Sequence, residues 1–222
     1  MSTGFQRARR PEQVEARRAT ILATATAMLR ERPVAAISLR ELSDRVGLAK
    51  SNVLRYFDSR EAIFLEVLDE VWRDWLSVVA DALVPAQGGS GFAREERVAA
   101  TIARTLQGDR VLCELISSMG AVLERNISVE SARRFKQRAV VNTDRLAKLV
   151  RECVPELSPG GAAHFSGAVF VLVAGLWPFA TPTDAVEVVR AEMGAAPAAD
   201  FFAENLTEVL TNLLAGLVAR RR

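Results

Sequence analysis

The sequence contains few of the residues from which metal sites, disulfide frameworks and most hydrolytic active sites are built. Its 222 residues include only two cysteines, Cys113 and Cys153, and a single histidine, His164. The cysteines form no C-x-x-C motif, so neither a disulfide framework nor a zinc site is indicated. The chain also lacks a G-x-S-x-G motif, a phosphate-binding glycine loop and an H-E-x-x-H motif. We therefore expect no enzyme activity, no cofactor, no metal and a reducing, cytoplasmic location.

Alternating apolar and polar runs, which are typical of β-strands, are also lacking. Half of the residues are hydrophobic, enough for a sizeable core in one large or two small domains. Prolines and glycines cluster at the boundaries of helical patterns, and this arrangement favours an all-α fold.

No apolar stretch is long enough to predict a membrane span. Residues 157–183 carry no charge, but prolines, glycines and His164 interrupt them. The continuous apolar part, 168–177, is too short to cross ~30 Å of hydrocarbon. The arginine-containing N-terminus has no apolar core of a secretory signal. We expect a buried helix here and no membrane association.

Residues 38–60, S-L-R-E-L-S-D-R-V-G-L-A-K-S-N-V-L-R-Y-F-D-S-R, are the most informative segment, and they predict a helix-turn-helix. Ser38 and Glu41 match a capping box, which gives the first helix a defined start. Gly47 can take the positive φ that reverses the chain after this helix. The apolar positions through which the two helices would share a core are Leu42, Val46, Val53 and Phe57.

The second helix of this motif would present hydrogen-bond donors to solvent. Such side chains suit phosphates and the base edges of a major groove. They are Lys50, Ser51, Asn52, Arg55 and Tyr56. The alternative is an ordinary helical hairpin with a polar outer face, but the coincidence of cap, glycine, apolar positions and a basic presented helix favours DNA binding.

The charges are distributed unevenly along the chain. Residues 1–60 contain twelve Lys and Arg against six acidic residues, whereas the remainder has 17 basic and 21 acidic residues. Positive charge concentrated on the helix-turn-helix segment is expected for a polyanionic partner.

Apolar periodicity and turn residues predict three units along the chain. These are a flexible basic arm (1–10), a DNA-binding domain that contains the helix-turn-helix (11–60) and a larger helical domain (61–222), to which the family resemblance described below assigns ligand binding and dimerisation. Within them we expect a first helix from Pro11 that ends before Pro33, and a long helix over 60–83 that links the two domains. A linker is expected at 85–91. Further helices are expected over 92–106, 109–126, 128–152, 162–177, 182–193 and 200–219.

The final helices carry more apolar surface than one bundle readily covers. We therefore expect both to pair with their copies in an isologous four-helix interface, the alternative being that both are interior to a monomer. The interface residues expected are Phe170, Val173, Leu206, Leu210, Leu213 and Leu217.

Residues 17–68 resemble the TetR (tetracycline repressor) family of bacterial transcriptional regulators. The resemblance rests on the run I-S-L-R-E-L-S-D-R-V-G-L-A-K-S-N-V-L-R-Y-F and on the following D-S-R-E-A-I-F-L-E-V-L. The family's glycine turn, the aromatic pair that ends its recognition helix and the start of its next helix match Gly47, Tyr56-Phe57 and 59–63. Family members usually have Tyr where this chain has Leu54, which removes a phosphate-contacting hydroxyl.

The resemblance implies an all-α homodimer that reads a palindromic operator on double-stranded DNA. Its C-terminal domain would bind a small-molecule effector, largely apolar, that changes the separation of the two recognition helices. Ser38 and Arg60 would contact the DNA backbone, together with the recognition-helix residues above, and Arg40 is a further candidate contact.

Large or soft apolar side chains on the C-terminal helices are candidates for a ligand pocket, although core packing explains each one alone as well. They are Trp72, Trp75, Cys113, Ile116, Met119, Phe135, Phe170 and Trp177. His164 is either a capping or hydrogen-bonded buried residue, a polar ligand anchor, or a pH-sensitive dimer contact. The function predicted is a ligand-released repressor. The alternatives are a ligand-independent or architectural DNA-binding dimer, and a helical interaction protein with a vestigial DNA-binding segment.

Overall fold

The computed structural model describes residues 5–85 and 91–220, and within them the fold is all-α, as predicted. Ten α-helices follow one another, with no strand in these ranges. Their bounds are α1 Phe5–Glu31, α2 Leu39–Val46, α3 Lys50–Val53, α4 Arg60–Ala82, α5 Ala93–Gln107, α6 Arg110–Ser118, α7 Val129–Cys153, α8 Pro159–Ala180, α9 Asp184–Glu192 and α10 Ala198–Ala219. We call α1–α3 the head and α5–α10 the bundle; α4 joins them.

Helix α1 begins six residues earlier than expected. It starts at Phe5, so Pro11 lies inside it and the expected start at Pro11 is wrong. Residues 5–10 of the expected flexible arm are therefore helical, while 1–4 lie outside the described residues. Because Pro11 lies in the second turn of the helix, its missing N–H costs only one backbone hydrogen bond near the helix start.

The helix-turn-helix has the cap and the turn that the sequence predicts, but its second helix is shorter than expected, because α3 ends at Val53 and residues 54–56 follow it in a turn. Ser38 and Glu41 form a complete capping box, and Gly47 ends α2 in the left-handed conformation at φ 75°. Leu42 and Val53 are fully buried, and Phe57 is nearly so. These side chains pack against the apolar stripe of α1, so the short helix α3 is held by its inner face alone.

Helix α4 is the link expected between the two regions. Its first turn is capped by Ser59, whose Oγ accepts from the Ala62 N–H. Most of its apolar side chains are buried against α1, α5, α6 and α7, and one continuous hydrophobic core runs from the head into the bundle. The domain boundary at residue 60 stays a prediction, and residues 86–90 of the expected linker lie outside the described residues.

Two helices of the bundle differ from the expected ranges. The helix expected over 109–126 is α6 followed by a π-helical segment, Met119–Leu123. Helix α8 begins at Pro159 rather than at 162, because Ser158 caps the Gly161 N–H and a proline in the first turn has no N–H that needs a partner. Among the described residues α8 is the one helix long and apolar enough to cross a membrane, but its inner face packs against α6, α7 and α10.

Candidate DNA interface and its link to the bundle

Helix α3 and the turn after it expose four polar side chains. Val53 and Phe57 fix their inner side, while Lys50, Ser51, Asn52 and Arg55 are exposed. Lys50 and Arg55 make no ion pair among the described residues, so their charges are available to an outside partner. Leu54, at the position where the family usually has Tyr, is 40% exposed. Tyr56 is half-buried.

A shallow cleft of about 890 Å³ runs between α1 and the end of α3. Its lining includes Gln13, Arg17 and Thr20 on one side and Arg55 and Tyr56 on the other. Sequence reasoning missed the α1 side of this surface. The available signal was the position of Arg17, four residues before the buried Ile21, at the end of the apolar stripe that packs on the helix-turn-helix.

The predicted backbone contacts at the start of α2 have different surroundings. The Ser38 hydroxyl donates to Glu41 at 2.7 Å and accepts the Glu41 N–H. The Ser38 N–H, the Ser38 hydroxyl and Arg32 together lower the pKa of Glu41 to about 2. Arg40 is 88% exposed and lies 4.0 Å from Asp44, an ion pair that solvent screens. Arg40 is therefore accessible to DNA, whereas the Ser38 hydroxyl is occupied by the cap.

Arg60 has partners within the chain instead of pointing to solvent. Its Nη1 donates to the Ile37 carbonyl at 2.8 Å, and its Nε donates to Glu61 at 3.0 Å. The side chain is 21% exposed and lies over the ring of Phe64. The expected backbone contact to DNA is thus better described as a connection between the head and α4.

Arg18, which sequence reasoning did not single out, joins three elements of the structure. Its guanidinium donates to the Tyr56 carbonyl and to Glu66 on α4, and it lies 4.2 Å from the ring centre of Phe57. Arg18 therefore joins the turn that follows α3 to both α1 and α4.

Two hydrogen-bonded connections tie the head to the bundle. The Val34 N–H donates to Glu114 on α6 at 2.9 Å. Asp58, which precedes α4, accepts from the hydroxyls of Ser128 and Ser131 at the start of α7, the second at 2.7 Å. These two hydroxyls lower the pKa of the Asp58 carboxyl. These hydrogen bonds link α6 and α7 directly to the head.

Three of the predicted pocket residues come together in the bundle. The ring of Phe170 on α8 lies 4.0 Å from that of Trp72 and 6.3 Å from that of Trp75, centre to centre. Trp177 packs elsewhere, against Phe202 at 5.2 Å.

The other predicted pocket residues are dispersed. Cys113 and Ile116 are buried in α6, and Met119 is half-buried in the π-helical segment. The Cys113 Sγ donates to the Leu106 carbonyl, and burial raises the pKa of its thiol. Phe135 is buried beside a void of about 10 Å³ near the head.

His164 is exposed on the outer side of α8. Its neighbours Phe165 and Ser166 take the inward positions of that turn. The capping or buried histidine is therefore wrong, whereas the polar ligand anchor and the pH-sensitive dimer contact stay predictions.

A cleft of about 470 Å³ opens elsewhere, between the end of α4, α5 and Cys153. Its rim is basic, with Arg94, Arg97 and Arg104. It contains none of the predicted pocket residues.

Most of the predicted dimer residues are buried within the chain, as the alternative of two interior helices expects. Val173, Leu206 and Leu210 are fully buried within the chain and Phe170 is 8% exposed, because α8 and α10 pack on each other and on α5 and the inner helices. Leu213 and Leu217 are half-buried. The apolar side chains left outside are instead Val171 and Phe179 on α8, 72% and 66% exposed, and Val209 on α10, 39% exposed.

Two family models match the chain. Residues 21–67 match the tetR family of bacterial regulatory proteins, and residues 69–221 match the tetracyclin repressor-like C-terminal domain. The HTH-type transcriptional regulator EthR of Mycobacterium tuberculosis is 42% identical over 55 residues, which are 25% of this chain and 26% of EthR. The match thus spans about a quarter of that relative.

Solved structures resemble the chain over most of its length. A TetR-family transcriptional regulator from Pectobacterium atrosepticum is 14% identical with a TM-score of 0.59, over 95% of this chain and 98% of that one. The fatty acid degradation regulator FadR from Bacillus halodurans is 13% identical with a TM-score of 0.54, over 93% and 97%. At these identities the likeness establishes the fold.

Proposed function

Since this chain belongs to the tetR family of bacterial regulatory proteins and is a transcriptional regulator of that family, we propose that it is a cytoplasmic repressor that binds DNA as a homodimer. A small molecule would release it from a palindromic operator. The observation that carries the proposal is helix α3, whose inner face is buried while Lys50 and Arg55 stand exposed without an ion pair among the described residues.

Helix α3 enters the major groove in this proposal. The side chains that reach base edges in this proposal are those of Lys50, Ser51, Asn52 and Arg55. Arginine prefers the paired acceptors of guanine. Arg17 on α1, across the cleft from Arg55, and Arg40 on α2 contact phosphates, which position the head without reading sequence.

A second copy of the chain covers the outer face of α8. Val171 and Phe179 expose large apolar surface there, and α8 carries no Asp, Glu, Lys or Arg that would oppose its burial. An isologous contact places two recognition helices on one side of the dimer. They must lie ~34 to 36 Å apart, or in register with a wider spacing, to enter successive major grooves.

Release from DNA follows from the connections between bundle and head. A ligand that fits one position of α4, α6 and α7 better than another shifts the head through Glu114 and Asp58. Its effect on DNA affinity equals its differential affinity for the two positions, typically ~1 to 3 kcal/mol.

The experiment begins with selection of bound fragments from random and genomic duplexes, followed by footprinting. On the selected operator, Arg55→Ala should change sequence preference at one base pair, with a loss of about 1 to 3 kcal/mol there. Arg17→Ala should weaken every sequence alike and reduce the salt slope by about one. Lys148→Ala, on an exposed part of α7, is the matched control and should change neither. Absence of any enriched duplex at moderate salt would overturn the DNA-binding proposal.

A ligand-independent DNA-binding dimer is the second candidate. It is favoured by the close packing of Trp72 on Phe170, which leaves the predicted pocket filled by the chain's own side chains. A metabolite panel that raises no melting temperature and releases no operator would support it against the ligand-released repressor.

A further inference from the structure

Several hydroxyl groups within the helices of this chain bond to the carbonyl one turn earlier. Ser43, Thr105 and Thr143 do so at 2.7 to 3.0 Å. Ser166, in the middle of α8, is different: it is 0% exposed, and its Oγ has no hydrogen-bond partner among the described residues. A buried hydroxyl in this situation has lost water without gaining a partner.

The two tryptophans that contact Phe170 show the same contrast. Trp75 Nε1 donates to Thr105 Oγ1 at 3.1 Å. Trp72 is 4% exposed, yet its Nε1 has no acceptor within the described part of the chain. Indole N–H groups are donors only and usually find an acceptor when buried.

These two unpartnered groups share a neighbour, Phe170. Ser166 and Phe170 are four residues apart on α8 and therefore share one face of it. The Phe170 ring lies 4.0 Å from that of Trp72. Phe170 thus stands beside both groups, and rotation of its side chain would open the space between α4 and α8.

The surroundings do not favour a charged ligand. Helix α8 has no Asp, Glu, Lys or Arg. The nearby buried carboxylate of Asp69 is already engaged by Asn142 at 3.2 Å and by Arg73 and Arg138 at 3.4 and 3.5 Å. A cationic ligand would therefore find no free carboxylate, and an anionic ligand would have to draw Arg73 or Arg138 away from Asp69.

We propose that Trp72 Nε1 and Ser166 Oγ form the polar end of an effector site, whose ligand is an uncharged molecule with an apolar, ring-sized body and one hydrogen-bond acceptor, such as a ketone. The ketone oxygen accepts from both groups, and the ring takes the space vacated by Phe170. This inference rests on the ligand response proposed above, which it deepens by naming the chemical class of the ligand.

The test uses three probes of similar size in calorimetric titrations of the full chain without DNA. Acetophenone has the acceptor, ethylbenzene lacks it, and benzoate adds a charge. Acetophenone should bind about tenfold more tightly than ethylbenzene, the effect of about one good hydrogen bond, and benzoate should not bind. Phe170→Ala, which opens the site in advance, should strengthen binding of both neutral probes.

Variants at the two groups identify the site. Trp72→Phe and Ser166→Ala should each lower the ratio of the ethylbenzene to the acetophenone dissociation constant, because each removes one of the two donors. Trp75→Phe is the matched control: Trp75 contacts the same phenylalanine ring, but its N–H is already bonded to Thr105, so the tenfold ratio should remain.

Thermal melting without any probe tests the unpartnered state itself. Ser166→Ala should melt no lower than the unmodified chain, because it removes a hydroxyl that bonds to nothing. Thr105→Val, which removes a bonded one, should melt lower. Equal losses would mean that the Ser166 hydroxyl is satisfied in solution, and the inference would be wrong.

Other outcomes would also overturn it. These are equal affinities for acetophenone and ethylbenzene, a ratio that survives in both Trp72→Phe and Ser166→Ala, or no binding of either probe to the unmodified chain and to Phe170→Ala. Operator binding is measured separately. If other compounds release the chain from DNA but the probe experiments fail, the proposed function stands and this effector site is wrong. If acetophenone binds but does not change operator binding, the site stands and the proposed ligand response is wrong.

Discussion

The head and the bundle differ in the kind of side chain that each leaves without a partner. On the head, arginines are paired at the surface, such as Arg45 with Glu31 at 2.6 Å, and the exposed cations without an ion pair among the described residues include Lys50 on α3 and Arg55 in the turn after it. The bundle leaves apolar Val171 outside and unpartnered Ser166 inside. Function in the head is therefore to be sought in surface charges, and function in the bundle in uncovered apolar faces and buried polar groups.

The largest effect is expected at the apolar face of α8. Val171→Asp should raise the dissociation constant of the dimer about 100-fold or more, because the carboxylate would be buried unpaired between two copies. Val140→Asp, on α7, is the control, since Val140 is 68% exposed against 72% for Val171. Sedimentation equilibrium measures both. If the two variants dissociate alike, α8 does not form the interface.

The next largest effect is a difference in the free energy of unfolding between variants at two arginines of the head. Arg18→Ala should lower the free energy of unfolding by about 2 kcal/mol, because it removes a carbonyl bond, an ion pair and a ring contact at a site 25% exposed. Arg45→Ala removes an ion pair whose arginine is 42% exposed and should cost less than about 0.5 kcal/mol. Urea denaturation measures both. Similar losses would contradict the role of Arg18 in joining the three elements.

A pair of glycines tests backbone conformation in the two regions. Gly47→Ala should destabilise the chain by about 1 kcal/mol, since φ is 75° there although a Cβ would meet no atom within 4 Å. Gly160→Ala, in the first turn of α8 with open space around it, should stabilise by about 0.5 kcal/mol. Opposite shifts of the urea midpoint are expected, and shifts of one sign would refute the comparison.

The smallest effect on stability is expected at Asp58, which connects the head to the start of α7. The pKa of Asp58 is lowered in the folded chain, so its carboxylate stabilises above its unfolded pKa of about 3.9, and this contribution is lost as the pH falls through the folded pKa. Asp58→Asn should cost about 0.5 kcal/mol at pH 7, because solvent screens the exposed group. The difference from the unmodified chain in urea denaturation should shrink towards pH 3. A difference independent of pH would exclude the carboxylate as its source.

Local signals made the helix-turn-helix predictable. The capping box at Ser38 and the positive φ at Gly47 depend on residues at most three apart in the sequence, so the sequence contains their whole explanation. The resemblance carried by residues 17–68 was confirmed by the family models.

Contacts between distant segments were not predictable in this way. Arg18 meets Glu66 and Asp58 meets Ser131 only once the helices have packed, and no sequence pattern marks either pair. Helix α8 is apolar on almost every side, so its periodicity could not decide whether Val173 or Val171 faces inward. That ambiguity left open whether Phe170 and Val173 face the core or a second copy, and whether His164 is buried or exposed.

The two connections of the head, Val34 to Glu114 and Asp58 to the start of α7, also limit how it can move. These bonds act together with the Arg18–Glu66 pair and with the core that the head shares with α4. If all of these contacts hold, the head keeps one position in each protomer, and that position sets the distance between the recognition helices of a dimer. A substitution that removes one of these hydrogen bonds would allow the head a wider range of positions. The chain would then discriminate less between operators of different spacing.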